Sequence, residues 1–175
     1  MSIVRSSIAA AFAALLFVLA LAPAAVYAGQ RDIDLLGSYV GDWRGRGTLT
    51  TAADPETVVC KLSITPAETA KVNYNGRCTL AGGSLAIAGT MAYIGDKNRF
   101  EAVMSSNTTF TGIAVGHRRG GAIDFTLREK DPDTGADLKI EVGFDLRDGV
   151  IQVDFSITQV STGKTSKAEI PFKKA

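Results

Sequence analysis

Three groups of residues in this chain could do chemistry, and each has a quieter explanation. His117 is the only histidine. It follows Val115 in an I-x-V-x-H stretch, so it either points inward at a strand end or stands exposed in a turn beside Arg118 and Arg119. Cys60 and Cys78 are the only cysteines. They either close a structural disulfide or supply a free thiol nucleophile. The segment "DPDTGAD" (131–137) gathers Asp131, Asp133 and Asp137, which suits a calcium ion or a hairpin turn. It lacks the glycine placement and distal glutamate of an EF-hand loop, so the turn is the better account. A catalytic zinc needs three protein ligands, commonly histidines, and this chain cannot offer them, so no metal centre is expected. No G-x-S-x-G nucleophile elbow is present to accompany His117. The expectation is a protein that is not an enzyme.

The elements that must position these groups read as strands. Ile123, Phe125 and Leu127 alternate with Asp124, Thr126 and Arg128. Leu138, Ile140, Val142, Phe144 and Leu146 repeat the pattern, as do Ile151, Val153, Phe155 and Ile157, and then Ala168, Ile170 and Phe172. Strict alternation gives each strand one dry and one wet face. Turn residues separate the runs at "IGDKN" (94–98), "GHRRGG" (116–121), "RDGV" (147–150) and "STGK" (161–164). The pattern predicts about ten strands: 38–51, 56–65, 71–80, 84–94, 98–104, 109–117, 121–130, 136–146, 150–160 and 164–173. Residues 31–37 suit one short helical turn before them. Connections this short place each strand beside its neighbours in sequence, and a meander avoids bare edges only by closing. The expected fold is therefore all-β, an antiparallel up-and-down β-barrel with its apolar faces inward.

That architecture favours the disulfide. Cys60 shares a face with Val58, Leu62 and Ile64, and Cys78 with Val72, Tyr74 and Leu80. If residues 65–71 turn a hairpin, keeping every apolar residue on one side pairs Ile64 with Tyr74, Leu62 with Gly76 and Cys60 with Cys78. Such a bridge contributes about 3 kcal/mol.

The N-terminus addresses the chain elsewhere. Residues 6–28 hold no charge, Arg5 precedes them, and Val26 and Ala28 occupy the −3 and −1 positions of a peptidase site. This is the pattern of a secretory signal peptide cut near Ala28, with an uncleaved anchor as the alternative. Residues 29–175 then form one barrel domain that does not span the membrane, secreted or periplasmic, where a disulfide persists. Without Arg5, 18 basic residues face 18 acidic ones. That balance gives no basic surplus for a nucleic acid partner. Asn107-Thr108-Thr109 fits a glycosylation acceptor, relevant only in a eukaryotic secretory host.

The stretch "LLGSYVGDWRGRGTL" (35–49) sets four glycines around the only tryptophan. Tyr39, Gly41, Trp43, Gly45, Gly47 and Leu49 share a face, so the indole points inward and the glycines permit bending and close backbone approach. The absent side chains also leave room for the indole to lie across a barrel floor. Gly41-Asp42-Trp43 on the first strand of such a barrel resembles the G-x-W motif of lipocalins and calycins. Its extension through Arg44-Gly45-Arg46-Gly47 is similar to the start of nitrobindin-like haem-binding barrels. In lipocalins a late basic residue packs on the motif tryptophan, and Arg147 is a candidate. The resemblance implies a barrel whose interior holds a small lipophilic molecule, and the inward apolar set read from the alternation supplies the pocket candidates Trp43, Tyr74, Tyr93, Phe125, Phe144 and Phe155. The resemblance also implies an alternative, haem bound through His117 as axial ligand. A further alternative is a barrel packed shut, serving as an envelope structural or protein-interaction module through the "SSNTTF" loop (105–110) and Arg118-Arg119.

Overall fold

The computed structural model describes residues 24–51, 54–107, 111–130 and 135–175. Most of the expected signal segment lies outside these residues. So do Asp131 and Asp133 of the candidate calcium turn, Thr108 and Thr109 of the glycosylation acceptor, and the end of the "SSNTTF" loop.

Among the described residues ten antiparallel strands follow one α-helix: α1 (Ala24–Ser38), β1 (Gly41–Thr50), β2 (Glu56–Pro66), β3 (Lys71–Leu80), β4 (Gly83–Ile94), β5 (Arg99–Ser106), β6 (Thr111–Arg119), β7 (Ala122–Lys130), β8 (Asp137–Arg147), β9 (Val150–Gln159) and β10 (Thr165–Lys174). Each strand pairs with its sequence neighbours, and β10 returns to β1 through Trp43↔Lys174 and Gly45↔Phe172, closing the barrel. Closure removes the edges that an open meander would leave exposed. The hairpin register of β2 and β3 is the one that alternation requires. Ile64 faces Tyr74, Leu62 faces Gly76, and Cys60 and Cys78 are opposite and disulfide-bonded.

The helix is longer than the sequence pattern suggests. It runs 15 residues and crosses the expected cleavage point at Ala28. Residues 29–38 lie beyond that point, and contacts with the barrel are found among them. Leu36 and the following Tyr39 are almost completely buried. The Tyr39 hydroxyl donates to the Phe144 carbonyl of β8 at 3.0 Å. Asp32, the one buried carboxylate among the described residues, accepts from Arg118 Nη1 of β6 at 3.2 Å. A buried carboxylate needs such a partner. Helix α1 thus sits across the barrel end that carries Trp43, Tyr93, Phe100 and Arg118. No helix among the described residues is long and apolar enough to cross a membrane.

Candidate functional site

The inward registers of the strands leave a cavity of about 420 Å³. Its wall is almost entirely apolar. Leu62, Met91, Ala102, Phe125, Ile140 and Ile170 are among the buried residues that line it. Burial falls along the barrel axis. At the α1 end Trp43, Phe100, Ile123, Ile151 and Phe172 are at most a few per cent exposed. At the opposite end Leu49, Leu80, Leu85, Ile87, Met104 and Ile157 are only partly buried, although they occupy the same inward registers. The cavity is therefore closed by α1 and the large side chains near it, and its mouth lies at the other end. Thr51, Ser106 and Ser166 border it there.

Of the six pocket candidates, Tyr74, Phe125, Phe144 and Phe155 line the cavity. Trp43 and Tyr93 do not line it. They sit deeper, in the packed layer beneath. Trp43 Nε1 donates to the Tyr39 carbonyl at 2.9 Å, and Lys174 Nζ stands 5.4 Å from its ring centroid. Lys174, not Arg147, is the late basic residue on the tryptophan. Arg147 is largely exposed and pairs with Asp145. The last strand places Lys174 directly opposite Trp43, a register visible only once the barrel closes. Tyr93 donates to Asn98 Oδ1 at 2.9 Å and packs against Phe100 with ring centroids 5.3 Å apart.

The glycines around Trp43 do only part of what the sequence suggested. A Cβ on Gly47 would lie 2.0 Å from the Glu169 carbonyl oxygen, so glycine is required where β1 and β10 press together. At Gly45, however, the open space is taken by Ile170 and Phe172 of β10 and not by the indole.

Of the two positions open to His117, the structure takes the exposed one, against the haem alternative. His117 is exposed on the outer face of β6, opposite Asp124. The inward register of β6 is Gly112, Ala114 and Gly116, while the larger Ile113, Val115 and His117 face out. The reason lies in the neighbouring strands. A Cβ on Gly116 would meet the Phe125 ring at 2.6 Å and Phe100 Cβ at 3.1 Å, so aromatic rings from β5 and β7 have already filled that wall. A haem held inside would find no imidazole from this chain, because its only histidine does not reach the interior. The Arg118-Arg119 tip is also engaged: Arg118 with Asp32, and Arg119 with Asp124 at 2.9 Å.

The interior offers few polar groups. Burial pushes the Tyr74 hydroxyl up to about 12, and that hydroxyl donates to the Val103 carbonyl at 3.1 Å. Tyr39 is raised further, by burial first and by the Asp145 charge second. No group of three or more His, Cys, Asp or Glu residues among those described is arranged to hold a metal ion.

Solved structures of the same shape exist. The crystal structure of Rv2717c from M. tuberculosis matches with a TM-score of 0.59 at 15% identity, covering 84% of this chain and 97% of that one. The S-type phycobiliprotein lyase CPES from Guillardia theta matches with a TM-score of 0.52 at 10% identity, covering 86% and 96%. The chain shares their closed antiparallel barrel fold. At such identities the likeness speaks for the fold alone. No protein-family profile and no curated protein matches the sequence, so the barrel is not narrowed to lipocalins.

Proposed function

We propose that this barrel binds a small lipophilic molecule inside its cavity, as a non-enzymatic carrier or receptor outside the cytoplasm. One observation carries the reading: a space of about 420 Å³ with an apolar wall, sealed at one end and bordered by hydroxyl side chains at the other. Ligand pockets commonly measure about 300–1,000 Å³, with a few polar groups fixing orientation. A barrel packed shut for purely structural work would leave no such space. The Cys60–Cys78 disulfide and the uncharged N-terminal run support an oxidising compartment. A phycobiliprotein lyase with the same fold makes a small-molecule role compatible with the architecture.

Uptake of an uncharged naphthylamine fluorophore by the purified protein tests the reading. One saturable site per chain is expected. Val142→Trp, which projects an indole into the cavity, is expected to abolish it. Ala102→Leu, a milder intrusion from another wall, should weaken it. Far-ultraviolet circular dichroism checks that both variants fold. Absence of uptake, or uptake indifferent to both substitutions, counts against an internal site.

A further inference from the structure

The charges on the inward registers are distributed unevenly along the axis. Among the described residues, two basic side chains stand on those registers, Arg118 on β6 and Lys174 on β10, and both belong to the closed end. Arg118 is held by Asp32, and Lys174 stands over Trp43. Neither lines the cavity. Lys61 borders the cavity, but it is an exposed residue between buried Cys60 and Leu62, on the solvent face of β2. The mouth is different. Glu129 lies two residues beyond the cavity-lining Leu127 on β7, and Glu56 two residues before Val58 on β2. Both are partly buried. In a closed ring of ten, β2 and β7 stand on opposite sides. The position of Glu129 is further fixed by Gly112. A Cβ there would lie 2.3 Å from Glu129 Oε1 and 2.9 Å from Leu127 Cδ1, so the absent side chain admits the carboxylate over the inner wall. Glu129 has no ion-pair partner among the described residues.

These placements decide which polar end a guest can carry. A carboxylate in the cavity would find no inward-facing cation along the wall among the described residues. The Tyr74 hydroxyl is committed to the Val103 carbonyl, and Glu56 and Glu129 would meet the guest with like charge at the mouth. Burying an unpaired charge is costly, and like charges add to the cost. An alcohol can donate to a mouth oxygen, and an ammonium can pair with a carboxylate. The available depth also suits a chain-like guest. Six residues of β10 separate Phe172 from Ser166, both on the cavity wall, which is about 20 Å of strand and about 15 Å along a barrel axis at the usual tilt.

We propose that the cavity takes an elongated apolar molecule whose polar end is neutral or cationic, an alcohol or an amine, held at the mouth beside Glu129 and Glu56, and that it discriminates against fatty carboxylates. The proposal rests on the reading that the cavity takes a lipophilic guest. Dodecanol, dodecylamine and dodecanoate share a tail and differ in head, so their displacement of the naphthylamine fluorophore from the full chain, at neutral pH and below micelle formation, separates the two. Dodecanoate is expected to bind at least about tenfold more weakly than dodecanol. Glu129→Gln is expected to reduce the affinity for dodecylamine with little effect on dodecanol. Glu129→Lys is expected to raise the affinity for dodecanoate, with retained dodecanol binding as the check on folding. Dodecanoate binding as tightly as dodecanol overturns the head-group proposal and leaves the carrier reading standing. An amine affinity unmoved by Glu129→Gln overturns the assigned role of Glu129. Failure of the fluorophore and all three displacers to bind overturns the carrier reading itself.

Discussion

Tyr74 shows how a single side chain couples the cavity to stability. Its ring lines an apolar wall, its hydroxyl is spent on the Val103 carbonyl, and burial raises its pKa to about 12. In an unfolded chain the same hydroxyl ionises near 10. Between about pH 10 and about pH 12 the unfolded state therefore sheds a proton that the folded state keeps. The folded form is favoured fully below that window and loses ground as pH rises through it. With allowance for a ring that is only partly enclosed, the loss from Tyr74 is roughly 1–2 kcal/mol. Tyr39, shifted in the same direction, adds to it. Urea midpoints measured from about pH 9 to about pH 12 should fall, and Tyr74→Phe should flatten part of the fall while costing about 1 kcal/mol at neutral pH for the lost hydrogen bond. A profile that Tyr74→Phe leaves unchanged would contradict the burial assigned to this hydroxyl.

At the scale of elements, the β2–β3 hairpin is the clearest case of structure written in local pattern. Alternation fixes which face each residue takes, a hairpin must keep its apolar residues together, and the one register that does so aligns Cys60 with Cys78. The bridge spans a sequence separation of 18, so Cys60→Ala with Cys78→Ala should cost about 3 kcal/mol in urea unfolding. A loss below about 1 kcal/mol would mean that the unfolded chain is already held compact without the bridge. The same logic made β7 to β10 legible, since their large apolar residues all face one way. It failed at β6, where glycine and alanine face inward and Ile113 stands 58% exposed. Alternation reports which residues are apolar. It does not report that rings from neighbouring strands have used the interior space, and so alternation alone left both faces open to His117. Helix α1 was obscured for another reason. Its first residues continue an apolar run that reads as a leader, and only Ile33, Leu35 and Leu36 are left to mark the side that docks. The partners that fix it, Arg118 and Phe144, lie more than 80 residues away in sequence. Lys174 on Trp43 was hidden similarly, because first and last strands meet only on closure.

At the scale of the whole molecule, the cavity is a stability deficit that a guest can offset. Empty apolar space forfeits the dispersion contacts its lining residues would otherwise make, and a ligand that binds only the folded state adds RT ln(1 + [L]/Kd). At about a hundred times Kd this is about 2.7 kcal/mol. For a chain of this size each kcal/mol moves the melting temperature by about 2–4 °C, so saturation with dodecanol should raise it by about 5–10 °C. The increment should vanish in Val142→Trp, whose indole occupies the space, whatever that substitution does to the baseline. It should survive in Ile113→Ser, which alters the outer face alone. These two variants distinguish a guest inside the barrel from detergent-like adsorption to the exposed pair Val103 and Ile113, which face each other across β5 and β6. Adsorption there would stabilise Val142→Trp as much as the unaltered chain and would be weakened by Ile113→Ser. An internal guest does the reverse, because α1 and the layer around Trp43 close the far end and leave the mouth near Glu129 as the entrance to an apolar space.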